Sequence, residues 1–263
     1  NDQGDTALMV AIKENGTLEM VKLLVDSGAS VETHNNAHST PLQEAIDQSK
    51  KGIANFLIDK GVDVSGSNSH GWSALHFACK RCNLDLVRVL LQKGAAIDGK
   101  NEDGKTPLHI AIDQRKCSLQ MVILLVASGA DIKTVDRFGS SLVYSAAANN
   151  KPDITDFLIS EGADYWLPNK EGNTPLHAAA KHGLTRLVQR LIQYKVNINA
   201  KNRDDESAFD IALAFDRQDV VDLLVKSTYN KGMTILHDAA KEGDASLVRL
   251  VISRGASVNQ LNN

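Results

Sequence analysis

The chain has 263 residues, a formal net charge of −3 and a charged fraction of 23%, values typical of a folded soluble protein. The near-neutral charge and the lack of a basic tail argue against a nucleic-acid partner. Three cysteines are too few for a disulfide framework, and we expect them to be free in a reducing compartment. The longest apolar run, Met121 to Ala127, is too short to span a bilayer, so we expect no direct membrane insertion.

A short pattern recurs along the chain: a small hydroxyl residue, any residue, an apolar residue, any two residues and alanine. It begins at Thr6, Thr40, Ser73, Thr106, Ser141, Thr174, Ser207 and Thr234. The spacings are 34, 33, 33, 35, 33, 33 and 27 residues. A glycine followed by alanine or valine forms a second marker after six of these starts. A period near 33 residues indicates stacked copies of one structural unit.

Two stretches, TPLHIA at 106–111 and TPLHAA at 174–179, carry the motif TPLHxA without change. On this motif and its period the whole chain resembles the ankyrin-repeat family. The resemblance implies an all-α fold, an ankyrin-repeat α-solenoid with β-turn fingers and about eight stacked helix-turn-helix repeats. It implies a single array over 1–263. Because neither end looks capped, we expect a fragment of a longer array.

The sixth repeat shows how the residues agree with that unit. Thr174 suits a helix N-cap, and Pro175 suits the first helical position, where a missing N–H costs nothing. Gly183 suits the left-handed end of the first helix. Apolar residues in 187–192 have the spacing of a buried stripe on the second helix.

The irregular spacings locate the departures from this pattern. One extra residue near 13–17 and two near 113–118 predict enlarged turns between paired helices. The short last spacing predicts a truncated finger at 226–233. Repeats five and seven have Tyr144 and Asp210 where the motif has histidine, so we expect these two repeats to be less stable.

Histidine and cysteine are the residue types that raise the question of chemistry. The family resemblance implies a structural role for the motif histidines, each fixing a finger to its helix: His76, His109, His177 and His237. The alternative is a metal ligand or a catalytic base. Cys79 and Cys82 form a CxxC pair, but no second pair stands at zinc-binding spacing. We therefore expect no enzyme, no catalytic residue, no metal and no cofactor.

Aromatic and basic residues on the fingers and first helices predict the partner site. Ankyrin arrays bind proteins on the concave surface of these elements, so the resemblance implies a protein or peptide partner there and a monomeric chain. Aromatic residues make up only 5% of the sequence. The predicted binding residues are Trp72, Lys80, Arg81, Arg137, Phe138, Tyr165 and Trp166, which favour an aromatic and acidic peptide. The alternative is that the rings pack on neighbouring fingers and stabilise the stack.

The function predicted on these grounds is a protein-interaction module of an intracellular scaffold or adaptor. Segments 42–65, 73–78, 106–112 and 207–215 resemble the rabankyrin endosomal scaffolds. That resemblance implies a cytoplasmic chain recruited to endosomes. The alternative is a regulatory segment that controls or targets a catalytic domain elsewhere in the parent chain.

A modification is also predicted at two finger asparagines, Asn199 and Asn259. They occupy the position that some ankyrin proteins present to an asparaginyl hydroxylase. Leu191 lies eight residues before Asn199, as that family's preference implies.

Overall fold

The computed structural model describes residues 2–14, 16–227, 234–259 and 261. These residues form sixteen α-helices of seven to nine residues, in eight pairs. The pairs are α1 (Ala7–Lys13) and α2 (Leu18–Asp26), α3 (Pro41–Asp47) and α4 (Lys51–Asp59), α5 (Ala74–Lys80) and α6 (Leu84–Gln92), α7 (Pro107–Asp113) and α8 (Leu119–Ala127), α9 (Leu142–Ala148) and α10 (Pro152–Ser160), α11 (Pro175–His182) and α12 (Thr185–Gln193), α13 (Ala208–Ala214) and α14 (Gln218–Val225), and α15 (Ile235–Glu242) and α16 (Ala245–Ser253). None of the described helices is long and apolar enough to cross a membrane.

The predicted repeat starts are the N-caps of the first helix in every pair. Seven of them accept a hydrogen bond from the backbone N–H three residues later, through the side-chain hydroxyl. In the remaining repeat, Thr174 is the N-cap and its Oγ1 lies 2.8 Å from His177 Nδ1. Such a cap satisfies an N–H that has no partner within the helix. The predicted starts, Pro175 at the first helical position and the left-handed Gly183 are thus confirmed.

The helices pack into two compact units, residues 1–137 and 138–263. Within the first unit α1, α3, α5 and α7 pack side by side in chain order, and α2 packs on α4. Within the second unit α9, α11 and α13 do the same, as do α10, α12 and α14. The first helices approach closely because six of them carry a fully buried alanine in the middle: Ala45, Ala78, Ala111, Ala146, Ala179 and Ala212.

Hydrogen bonds between successive finger tips form a second line of contact inside each unit. In the first unit the backbone N–H of Glu102 donates to the carbonyl of His70, at 2.9 Å. In the second unit Arg203 donates to Glu171 in the same way, at 2.8 Å. Gly71 has a φ of +73°, and a Cβ there would lie 2.8 Å from the backbone of Asn101. Glycine is therefore required where adjacent tips meet.

The motif histidine links its own helix to the next finger. His76 Nδ1 lies 3.1 Å from the Ser73 backbone nitrogen, which can only donate, so Nδ1 is the acceptor and Nε2 carries the proton. That Nε2 donates to the Lys105 carbonyl of the next finger, at 3.1 Å. His177 makes the same pair of bonds in the second unit, to Thr174 and to Glu206. This geometry confirms the structural role predicted for His76 and His177. His109 and His237 share the first bond, because each Nδ1 accepts from the N-cap N–H, but the buried Nε2 of His109 has no hydrogen-bond partner among the described residues.

Four repeats place other residues at this position, the first of them Met9. Gln43 reproduces the pattern, because its Oε1 accepts from the Thr40 N–H while its Nε2 donates to the Gly66 carbonyl. Asp210 accepts from the Ser207 N–H and hydroxyl, but an ionised carboxylate has no proton to donate onward. Tyr144 donates its backbone N–H to the Ser141 hydroxyl, at 3.2 Å. The lower stability predicted for repeats five and seven therefore remains a prediction with a physical reason.

The predicted turn insertions fall between paired helices. Residues 114–118 separate α7 from α8, whereas residues 48–50 separate α3 from α4. The other predicted insertion, at 13–17, also lies between helices, although Asn15 is outside the described residues. Most of the finger predicted to be short, residues 228–233 of 226–233, likewise lies outside the described residues.

The buried histidines predict a loss of stability in mild acid. Burial lowers the pKa of His109 to about 4, and burial also lowers the pKa of His76 and of His177. Because the folded pKa lies below the unfolded value of about 6.5, this stability is present above pH 6.5 and is lost as the pH falls towards 4. His109→Gln should reduce the loss in this window by roughly 3 kcal/mol, since glutamine already fills the slot at Gln43 and does not titrate.

The measurement is the free energy of unfolding in urea at a series of pH values between 4.5 and 7.5. The exposed His34 provides a matched control, because His34→Gln removes the same titrating group from solvent. An unchanged slope in His109→Gln, equal to that of His34→Gln, would contradict the prediction.

Candidate functional site

Trp72, the first predicted binding residue, packs against its own repeat. Its ring centroid lies 5.2 Å from that of Phe77, and the Lys80 ammonium lies 5.4 Å from the indole. The backbone nitrogen of Trp72 also donates to Asn68 Oδ1 at 2.9 Å. The side chain is half-buried. These contacts are those expected of a ring that stabilises its finger.

The predicted cationic residues of the first unit are paired with carboxylates. Lys80 and Arg81 both reach Asp47, at 2.9 and 3.0 Å. Arg137 lies 3.0 Å from Asp103 on the preceding finger. A partner's acidic groups would have to compete with these carboxylates. The role of Asp47 as a partner of these two cations was not predicted from the sequence, although Asp47 lies one repeat before them.

The aromatic residues of the second unit are arranged differently. Phe138 is 50% exposed, and its backbone carbonyl accepts from the Lys170 N–H. Tyr165 and Trp166 meet edge to face, with ring centroids 4.9 Å apart. Tyr165 also lies 4.7 Å from Tyr194, which ends α12. Trp166 is 53% exposed and Tyr194 is 44% exposed, so this group presents open aromatic surface.

These three rings border a cleft of about 590 Å³, the aromatic cleft. One side is formed by Tyr165, Trp166 and Pro168 of one finger, the other by Tyr194, Lys195 and Lys201 of the next, and Leu176 of α11 lies between them. No acidic residue is found among the described residues that line it, although the chain has 32 Asp and Glu. The cleft therefore combines aromatic walls with ammonium groups.

A polar contact fixes the Tyr194 wall from behind. Arg190 of α12 pairs with Asp156 of α10, and its Nη2 lies 3.5 Å from the Tyr194 hydroxyl. The contact with Tyr194 and the ion pair with Asp156 raise the pKa of Arg190 above its ordinary value. The Tyr194 hydroxyl is thus linked through Arg190 to Asp156 of α10 in the unbound chain.

Lys195 occupies a backbone position that six of the other repeats give to glycine. The glycines of the second sequence marker have φ between +82° and +96°: Gly28, Gly61, Gly94, Gly129, Gly162 and Gly255. Lys195 adopts a φ of +57° at the same place after its helix. A Cβ at Gly94 or Gly162 would meet nothing within 4 Å, so the cost of a side chain here is conformational, about 1–2 kcal/mol.

Tyr194, Lys195 and Lys201 were missed by the sequence analysis. The usable signal was the missing glycine in QYKV at 193–196, where six other repeats keep the glycine marker. A lysine at that position looks like an ordinary surface residue. It becomes unusual only when the repeats are aligned and the backbone there is known to be left-handed.

The cysteines and histidines of the described chain are the side chains most able to hold a metal ion or to react. It contains no set of three or more His, Cys, Asp or Glu residues placed to hold a metal ion. Cys79 is buried, and that burial raises its thiol pKa, which keeps the sulfur protonated and unreactive. The low pKa of His76 and His177 reflects burial in a structural bond rather than a position beside a substrate.

The two asparagines predicted to be hydroxylated differ in their surroundings. Asn199 is half-buried, and its side-chain amide donates to Asp238 of α15. Asn259 is exposed. Hydroxylation at either residue remains a prediction.

Comparison with known proteins agrees with the helix-pair architecture. The family described as "Ankyrin repeats (3 copies)" matches residues 1–68, 53–136 and 142–231, and "Ankyrin repeat" matches 231–263. The chain is similar to the ankyrin repeat domain of Bcl-3, described as a unique member of the IkappaB protein family. That solved structure has a TM-score of 0.66 and 29% sequence identity, over 84% of this chain and 99% of the other.

Two curated relatives are much longer than this chain. Rabankyrin-5 of Mus musculus is 24% identical over 172 residues, which is 45% of this chain and 15% of the relative. Transient receptor potential cation channel subfamily A member 1 of Homo sapiens is 34% identical over 97 residues, which is 34% of this chain and 9% of the relative. The chain thus spans a small part of either protein.

The architecture and the family matches give one coarse functional statement. Ankyrin repeats bind protein partners, and their fold is typically a non-catalytic binding module. The predicted solenoid class and the predicted family are confirmed, since the matches cover the chain from end to end. This chain belongs to the ankyrin-repeat family.

Proposed function

We propose that this chain is the protein-interaction module of a scaffold or adaptor, and that partners dock on the aromatic cleft. The observation that carries the proposal is the open surface of Trp166 and Tyr194 beside a cleft of about 590 Å³. Tryptophan and tyrosine are over-represented among residues that dominate binding energy. Exposed rings on a braced wall lose little freedom when a partner covers them.

The predicted residues of the first unit form a second surface, which is less available to a partner. Trp72 is stacked on Phe77, and Lys80, Arg81 and Arg137 already have carboxylate partners. Binding there requires a partner that replaces those ion pairs. Phe138 is half exposed and extends the proposed contact area on the second unit.

The parent context of the module is also a proposal. Similarity to rabankyrin-5 supports an endosomal scaffold, with a cytoplasmic chain recruited to endosomes. The cation channel, of which the alignment covers 9%, supports a second candidate, a regulatory segment for another domain of the same polypeptide. A fluorescent fusion of this chain distinguishes them. Recruitment to early endosomes that Trp166→Ala abolishes favours the scaffold, and diffuse fluorescence of both forms contradicts the endosomal role.

Trp166→Ala should weaken binding to a true partner by about 2 kcal/mol while leaving the melting temperature nearly unchanged. The reason is that the ring is more than half exposed and contacts Tyr165 at its edge. Trp72→Ala is the matched control: it should lower stability by roughly 1–2 kcal/mol, because it removes packing on Phe77 and Lys80, and should retain the partner.

The measurement is affinity capture from cytosol with wild type and both variants, together with thermal melts. The proposal expects one set of proteins to be absent from the Trp166→Ala capture and present in the other two. If Trp72→Ala loses those proteins and Trp166→Ala retains them, the binding surface lies on the first unit and the cleft is not the site.

Asparaginyl hydroxylation should add one oxygen to the peptides that contain Asn199 or Asn259. Of the two, Asn259 is the more accessible, because Asn199 is tied to Asp238. Mass spectrometry of protein from oxygenated cells tests this expectation. Unmodified peptides for both residues would end it.

A further inference from the structure

The aromatic cleft has a charge and a shape that define its occupant more narrowly than the proposed function does. We propose that the cleft binds an acidic peptide segment with an aromatic or large aliphatic side chain, and that Lys195 is the residue that anchors the carboxylate. This inference rests on the proposed function of the same surface. It concerns a residue that packing does not require and that the backbone disfavours.

The first step is the charge of the lining. Two lysines and no acidic residue are found among the described residues of the cleft wall. Lys201 is partly neutralised by Asp205, at 2.9 Å, and both are exposed. Lys195 is exposed and forms no ion pair within the described part of the chain. Its ammonium is therefore the charge available to an incoming anion.

The second step is the backbone of Lys195. Six repeats place glycine in this left-handed position, and nothing in the packing excludes a side chain there. At such a φ lysine is less stable than glycine, because its Cβ disfavours the left-handed conformation and glycine has no Cβ. Six other described non-glycine residues also have a positive φ, so the angle by itself does not mark a ligand site. Lys195 differs from them because glycine holds its position in six other repeats and because it lines the cleft. An ammonium at the mouth of the cleft gives this strain a use.

The third step is the apolar part of the occupant. Tyr165, Trp166, Tyr194 and the buried Leu176 contribute the large apolar side chains of the cleft lining. The His177 bond holds the Glu206 backbone, and the Arg190 contact holds the Tyr194 side chain. A preformed slot of this size accepts one or two large side chains from an extended segment. Their neighbours then lie close to Lys195.

The identity of the occupant is tested by selection. A phage-displayed library of random dodecapeptides is panned on the wild-type chain after depletion on Trp166→Ala. The proposal expects enriched peptides with an aromatic or aliphatic residue flanked by Asp or Glu. Enrichment of neutral or basic peptides would overturn the acidic occupant and leave the proposed function standing. Recovery of no cleft-dependent peptide would overturn both.

The role of Lys195 is tested with the most enriched peptide as the probe. Lys195→Gly and Lys195→Asn should each weaken its binding about fivefold, the size expected for an exposed ion pair. Lys195→Gly should also raise the midpoint of thermal unfolding by about 2–4 °C, since glycine relieves the left-handed strain. The opposed signs distinguish a binding role from a structural one, which would lower both affinity and melting temperature.

Lys93→Gln provides the matched control, because it removes one exposed ammonium from the end of α6 and leaves the cleft intact. Unchanged affinity in both Lys195 variants would overturn the anchoring role, even if Trp166→Ala still abolished binding. Self-association that Trp166→Ala abolishes, seen by sedimentation, would assign the cleft to a second copy of the chain and would also overturn the proposal.

Discussion

In three repeats, a side chain that accepts at one end and donates at the other connects the first helix to the finger that follows it. His76 and His177 do this with the two ring nitrogens, and Gln43 does it with the two atoms of its amide. The bond is buried, so a missing partner leaves a polar group without water. In these three repeats the bond ties the first helix to the backbone of the following finger.

The aromatic cleft depends on the same interaction. His177 ties α11 to the finger that carries Lys195 and Lys201, and its neighbour Leu176 lines the cleft. In the repeat that follows, Asp210 occupies the slot and accepts from the Ser207 N–H and hydroxyl. Rigid walls reduce the ordering entropy that a partner must overcome.

Much of the fold could be predicted because the repeat is encoded locally. Thr106, Pro107 and His109 each have one favourable place in a capped helix, so the sequence gives the helix start to the residue. Repetition then confirms each assignment several times over. The role of His177 followed from the family resemblance, and its bond to Glu206 identified the tautomer and the partner.

The candidate site was less predictable because it depends on contacts between repeats. Tyr165 and Trp166 were identified as unusual residues, but their meeting with Tyr194 requires the pitch of the stack, which no single repeat encodes. The pairing of Lys80 and Arg81 with Asp47 is of the same kind, since the carboxylate lies one repeat away. Lys195 was hidden for another reason. Lys195 is unusual because of its positive φ, and a backbone angle cannot be recognised from an exposed lysine in the sequence.

The central claim is that partners recognise Trp166 and not Trp72, and the chain permits a direct test because it has only two tryptophans. A ¹⁵N–¹H spectrum of labelled protein shows one indole resonance for each, assigned by Trp72→Phe and Trp166→Phe. Titration with the most enriched acidic peptide should shift the Trp166 indole and leave the Trp72 indole in place. A shift confined to Trp72 would contradict the account and place recognition on the first unit.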